Sequence, residues 1–125
     1  MYELLVKTHF AAAHQLALAG HKCENLHGHN WKLEVRLRGT QTDGAGVVLD
    51  FGVIKAKLGR IMDELDHKFL NDLPAFAGKS PSSENIAFHV AQRLAEETEG
   101  SGCRVHSVTA WESDDAAATY FPDGS

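Results

Sequence analysis

His27, Gly28 and His29 set two imidazoles at an i, i+2 spacing, which on an extended strand sends both to the same side, about 7 Å apart. Two neutral imidazoles so placed can converge on one metal ion. His14 ends an alternating apolar segment upstream, and if that segment pairs with the one that His29 begins, all three rings point to one side of a sheet. Three imidazoles leave a fourth tetrahedral position open, the arrangement of a catalytic rather than a structural zinc site. Gly28 between them lets a substrate or a backbone approach closely. Cys23, four residues before His27, admits two roles. It can be the fourth ligand of a closed structural site, or a thiolate, favoured by Lys22 and by a nearby ion, that exchanges protons with a substrate. Two histidines around a glycine are also common as plain surface or core residues, and it is the addition of His14 and Cys23 that points to metal chemistry.

For these side chains to meet, the segments that carry them must be neighbours. From Tyr2 to His14 the even positions Tyr2, Leu4, Val6, Thr8, Phe10, Ala12 and His14 alternate with a more polar odd set, which predicts a long strand buried mainly on its even face. Residues 20–26 break the pattern as a loop. From His27 to Arg38 the alternation returns with opposite parity, placing His27, His29, Trp31, Leu33, Val35 and Leu37 on one face and Lys32, Glu34, Arg36 and Arg38 on the other. Gly39 to Gly46 reads as a turn-rich connection. Asp50 is a candidate cap for a helix over Phe51–Leu65, in which Val53, Ile54, Leu58, Ile61, Met62 and Leu65 recur at helical spacing. A mixed polar stretch, 71–79, precedes a second helix that Ser80 or Ser82 can cap and Gly100 or Gly102 can stop. Cys103–Glu112 and Ala116–Phe121 read as two closing strands joined by a tight turn, with Trp31 and Trp111 as core aromatics. The order ββααββ predicts an α+β fold, a four-stranded antiparallel sheet with two helices on one face. Its two open edges and polar second face suit a barrel assembled from several subunits.

Composition narrows what such a fold does. The 125 residues fit one domain, 1–125, and 43% hydrophobic with 23% charged residues is ordinary for a globular chain. Twelve Lys+Arg, scattered, against seventeen Asp+Glu give a net charge of -5, which disfavours a nucleic-acid partner. The longest weakly polar stretch, Phe10–Ala19, is far short of the ~20 residues a membrane span needs. The first ten residues lack the basic start and apolar run of a secretory signal, so the expected compartment is the cytoplasm. Cys23 and Cys103 are too few for a disulfide framework and read as free thiols. No glycine-rich dinucleotide fingerprint or phosphate-binding loop is found.

A resemblance then runs through nearly the whole chain. His14, Cys23-Glu24-Asn25-Leu26-His27-Gly28-His29-Asn30-Trp31, Asp50-Phe51, Leu65-Asp66-His67-Lys68-Phe69-Leu70-Asn71-Asp72, Pro81-Ser82-Ser83-Glu84-Asn85 and Trp111-Glu112-Ser113 resemble, in order, the 6-pyruvoyltetrahydropterin synthase and 6-carboxytetrahydropterin synthase family. Three residues between the cysteine and His-Gly-His are similar to the bacterial 6-carboxytetrahydropterin synthase of queuosine biosynthesis; the pyruvoyl enzymes tend to a longer spacer. Ser82 stands where the family pattern commonly has Thr, and keeps the hydroxyl.

The resemblance implies a T-fold (tunnelling fold) that assembles into an oligomeric β-barrel, commonly a homohexamer. It implies Zn2+ held by His14, His27 and His29, Cys23 as catalytic base, Asp66 with His67 as a proton-relay pair, and Glu112 as anchor of a pterin ring. The implied reaction converts 7,8-dihydroneopterin triphosphate to 6-carboxy-5,6,7,8-tetrahydropterin with release of acetaldehyde and triphosphate. A carboxylate such as Glu112 suits the exocyclic amine and ring N–H of a pterin, which lie side by side. Adjacent residues on a regular helix do not face each other, so an Asp66–His67 relay requires that the helix has ended. Alternatives are pyruvoyltetrahydropterin formation and, from another class, a noncatalytic zinc-stabilised module that uses Cys23 as a fourth ligand. A histidine-triad nucleotide hydrolase needs a third alternating histidine, and position 31 is Trp.

Overall fold

The computed structural model describes residues 1–15 and 27–124, with His27 described by its backbone alone. Strand β1 (Tyr2–His14) pairs antiparallel with β2 (His27–Gly39) along its whole length, from Tyr2 opposite Gly39 to His14 opposite His27. The alternation sets the faces: Val6, Phe10, Ala12, His14, Trp31, Leu33, Val35 and Leu37 are buried together, while Glu3, Lys7, His9 and Lys32 are exposed on the other side.

Helix α1 (Phe51–Leu65) begins where Asp50 accepts the Gly52 N–H at 2.7 Å and buries Ile54, Leu58, Ile61, Met62 and Leu65. Val53, expected on that stripe, is exposed instead. The polar stretch after α1 is more ordered than its composition suggests, with 3-10 turns at Leu70–Asp72 and Pro74–Phe76 that bury Leu70 and Phe76. Ser82, not Ser80, caps α2 (Ser83–Glu97), its Oγ accepting the Asn85 N–H at 3.2 Å. The helix ends before either glycine at Thr98, whose N–H makes the last helical bond to the Leu94 carbonyl at 2.9 Å and whose hydroxyl donates to the same oxygen at 2.8 Å. Gly100 and Gly102, at φ of 79° and 86°, then reverse the chain.

Strands β3 (Arg104–Trp111) and β4 (Ala117–Tyr120), each shorter at both ends than expected, complete an antiparallel sheet of order β1-β2-β3-β4. Both helices pack on one face. A β-bulge decides which way the end of β3 points. Leu37 opposes Val105 but Arg36 opposes Ser107, so His106 is an extra residue and the parity of β3 switches. Val108 and Ala110 are thereby turned to the helices, and Trp111 to the open face. Trp111 is therefore not a core aromatic; its indole N–H donates to Glu34 Oε2 at 2.6 Å. That open face is polar and cross-paired, with Arg38–Glu3 at 3.0 Å and Lys32–Asp114 at 3.2 Å. Among the described residues no helix is long and apolar enough to cross a membrane.

Candidate metal and substrate site

The same switch of parity that turns Trp111 outward returns Glu112 to the helix-covered side, at the end of the sheet where His14 closes β1 and His29 enters β2. One donor atom from each of His14, His29 and Glu112 lies within 4.8 Å of the others. Glu112 Oε1 stands 3.5 Å from His14 Nε2 and 3.4 Å from His29 Nε2. His14 is fully buried, and its Nδ1 lies 2.9 Å from the Pro81 carbonyl oxygen. A carbonyl can only accept, so Nδ1 carries a proton, and in the neutral ring Nε2 then keeps its lone pair. That is the outer-sphere arrangement which fixes the tautomer of a metal-ligating histidine.

The two imidazoles meet edge-on at 4.9 Å and 74°, and Trp31 packs against both. Its indole meets His14 edge-on at 5.1 Å and 82° and His29 at 5.6 Å and 70°, and it is stacked on Phe10 at 6.0 Å. Among the described residues its buried Nε1 has no hydrogen-bond partner. Gly28 is exposed, and a Cβ there would meet nothing nearer than the Ala12 carbonyl at 4.0 Å, so no described part of the chain itself requires the glycine.

Asp66 and His67 face each other because α1 has ended. Asp66 is extended, and His67 takes the left-handed conformation at φ 57°, which brings its Nδ1 to 2.8 Å from Asp66 Oδ2. The turn is fastened to the edge of β1: Ala11 donates its N–H to Asp66 Oδ1 at 2.9 Å, and the His67 N–H donates to the Ala11 carbonyl at 2.6 Å. The Ala11 N–H, and after it His67, hold the Asp66 carboxyl below the usual carboxylate range. The ring of His67 is largely exposed and lines a cleft with Lys68, Phe69, Gly28, His29 and Asn30. His29 therefore belongs both to the donor group and to the cleft.

Of the residues singled out from sequence, His14, His29 and Glu112 are brought together, and Asp66 and His67 form their pair at the neighbouring sheet edge. The backbone of His27 stands opposite His14, and its side chain lies outside the described residues, as does Cys23. The donor set of two imidazoles and a carboxylate, with a fixed tautomer at one of them, fits a zinc ion. Sequence reasoning assigned Glu112 to the substrate alone and missed Pro81. The signal for Pro81 was its place just before a helix cap, where the last carbonyls of a loop are held in fixed directions.

The sequence profile of the 6-pyruvoyl tetrahydropterin synthase family matches residues 3–123. A protein of Archaeoglobus fulgidus with the provisional name 6-carboxy-5,6,7,8-tetrahydropterin synthase is 35% identical over 111 residues, 88% of this chain and 87% of its own. The dihydroneopterin monophosphate aldolase of Pyrococcus furiosus is 30% identical over 109 residues, 87% and 88% of the two chains. The structure of Caenorhabditis elegans 6-pyruvoyl tetrahydropterin synthase superposes with a TM-score of 0.82 at 25% identity, covering 96% of this chain and 94% of that one.

Proposed function

We propose, for a chain that belongs to the 6-pyruvoyl tetrahydropterin synthase family, a zinc-dependent lyase that converts 7,8-dihydroneopterin triphosphate to 6-carboxy-5,6,7,8-tetrahydropterin, acetaldehyde and triphosphate with consumption of one water. The observation that carries the reading is the convergence of His14, His29 and Glu112 at one end of the helix-covered face. The spacer of three residues before His27-Gly28-His29 and the similarity to the Archaeoglobus protein favour the carboxy product over the pyruvoyl one.

His14, His27 and His29 would hold the ion. When bound, it would act as a Lewis acid toward the substrate's side-chain oxygens and so lower the cost of negative charge at the adjacent carbon. Cys23 would take the proton from that carbon. Glu112 would orient the ring, accepting its amine and ring N–H on two carboxylate oxygens. Asp66 accepts from Ala11 and faces His67 Nδ1, so it would hold that imidazole with Nε2 turned outward to receive or return a proton. The ring is reduced as the side chain is oxidised, so electrons balance without a nicotinamide. Working subunits would associate through the open sheet edges into a hexameric barrel, in the cytoplasm.

The Pyrococcus relative favours a second reading, aldol-type cleavage of a dihydroneopterin monophosphate. Separate incubations of zinc-loaded protein with dihydroneopterin triphosphate and with dihydroneopterin monophosphate, with products identified by mass, separate the readings. Acetaldehyde with free triphosphate supports the lyase. Triphosphate without aldehyde supports the pyruvoyl reaction, and a phosphorylated two-carbon aldehyde from the monophosphate supports the aldolase. No consumption of either substrate would overturn all three.

A further inference from the structure

Glu112 sits against the imidazoles in a way that its anchoring role does not explain. The single oxygen Oε1 lies 3.5 Å from His14 Nε2 and 3.4 Å from His29 Nε2. A charge-assisted hydrogen bond from a ring N–H would close to about 2.7–2.9 Å. From a neutral His14 none is available, because its one proton is on Nδ1, directed at Pro81. His14 Nε2 and Glu112 Oε1 are thus two lone-pair atoms facing each other beside a buried ring, a repulsive contact unless positive charge lies between them. Two donors on one tetrahedral zinc ion, with bonds of about 2.0–2.1 Å, stand about 3.3–3.4 Å apart. The two contacts of Glu112 have that spacing.

We propose that Glu112 is a displaceable ligand: in the substrate-free protein its Oε1 fills a position on the ion held by the histidines, and the pterin ring draws the carboxylate away. The inference rests on the metal and anchoring roles proposed above. Exposure agrees with the direction of exchange, since the Glu112 side chain is 34% exposed against 23% for His29 and 0% for His14, so an incoming ring meets the carboxylate first. Its backbone is tied into the β3–β4 turn by the bond from the Glu112 N–H to the Ala116 carbonyl, 3.1 Å, which leaves the side chain to make the movement. Ring and ion then compete for one carboxylate, and each weakens the other's binding by the same factor.

The test uses the full-length protein loaded with Co2+ and, as ring probe, unsubstituted pterin, which lacks the hydroxylated side chain. Glu112→Ala and Glu112→Gln should weaken Co2+ by about tenfold or more in a chelator competition and shift its visible bands. Saturating pterin should move the wild-type spectrum toward that of Glu112→Ala, and Co2+ should weaken pterin binding by about the same factor as pterin weakens Co2+. Unchanged Co2+ affinity and spectrum in both variants, with pterin binding lost, would overturn the exchange and leave the anchor reading intact. Failure of the wild type to bind Co2+ through His14, judged against His14→Ala, would overturn the metal reading itself and the exchange with it.

Discussion

The Nδ1 of His14 and the carbonyl oxygen of Pro81, 67 residues apart in sequence, lie 2.9 Å from each other. This contact joins the end of β1 to the loop that starts α2, and the loop is fixed on both sides of the proline. Asn85 donates its side-chain amide to the Ser80 carbonyl at 2.7 Å, and the Ser82 hydroxyl caps the helix by accepting the Asn85 N–H. The direction of the Pro81 carbonyl, and through it the tautomer of His14, is thus set by a helix cap.

Ser82→Ala is expected to lower stability by about 1 kcal/mol, the usual value of a lost cap, and the melting temperature by about 4 °C. Asn85→Ala should in addition weaken the metal about tenfold, because the carbonyl that orients His14 is released. Thermal melts with and without zinc and a chelator competition measure the two effects separately. An Asn85→Ala protein that melts lower but binds zinc as tightly would show that the cap does not reach the imidazole.

Asp66→Asn tests the pair at the sheet edge. The amide can still accept from the Ala11 N–H, so the turn is kept, but its NH2 presents a donor to His67 and favours the other tautomer. Turnover should fall by about 10²–10⁴ with little change in zinc content. The folded-state pKa of Asp66 is depressed, so its contribution to stability is fully present above the ordinary carboxylate pKa and is lost as pH falls through the lower folded value. Urea midpoints should accordingly converge for wild type and variant in strong acid and separate above it. A constant gap across that range would show that the Asp66 charge does not stabilise the turn.

How far all this could be read from sequence differs between the two ends of the sheet. Period-two alternation fixed the faces of β1 and β2, and with them the side on which His14 and His29 lie, since a one-residue slip would have turned Phe10, Trp31 and Leu33 into solvent. Helix α1 was equally plain, bounded by the Asp50 cap and its apolar stripe. The face of Glu112 was not legible. It depends on the bulge at His106, and strict alternation from Val105 would have sent Glu112 to the open face and Trp111 to the core. Nor does composition announce the left-handed His67, because that conformation is held by the Ala11 carbonyl on a distant strand.

Two further contributions to the acid side of the stability curve should come from between the helices. His89, on α2, has its pKa lowered chiefly by burial, against the pull of Glu64, so stability falls as pH drops from about 6.5 toward its lower folded value. Glu64 is held below its ordinary pKa first by the fork from Arg93, whose Nε and Nη2 lie 3.0 and 2.7 Å from its two oxygens, and that contribution is lost further down in pH. His89→Gln should remove the first contribution. Arg93→Lys, which cannot bridge both oxygens, should cost about 0.5 kcal/mol at neutral pH given the exposure of the pair, and less in high salt. Urea midpoints across the range check both, and an unaltered first contribution in His89→Gln would assign it to another group.

Cys23→Ala separates catalysis from structural zinc binding. If the ion is held by imidazoles, with or without Glu112, removal of the sulfur leaves its ligands in place, and zinc stoichiometry and melting temperature should match the wild type. Turnover should nevertheless fall by about 10²–10⁴, because the group that takes the substrate proton is gone. A thiolate in a closed four-ligand site behaves differently: structural zinc supplies folding free energy outright, so loss of one ligand lowers metal content and melting temperature together. Metal analysis, a thermal melt and a rate on the same preparation therefore distinguish the two roles, and parallel loss of metal and fold would make the chain a zinc-stabilised module without chemistry at Cys23.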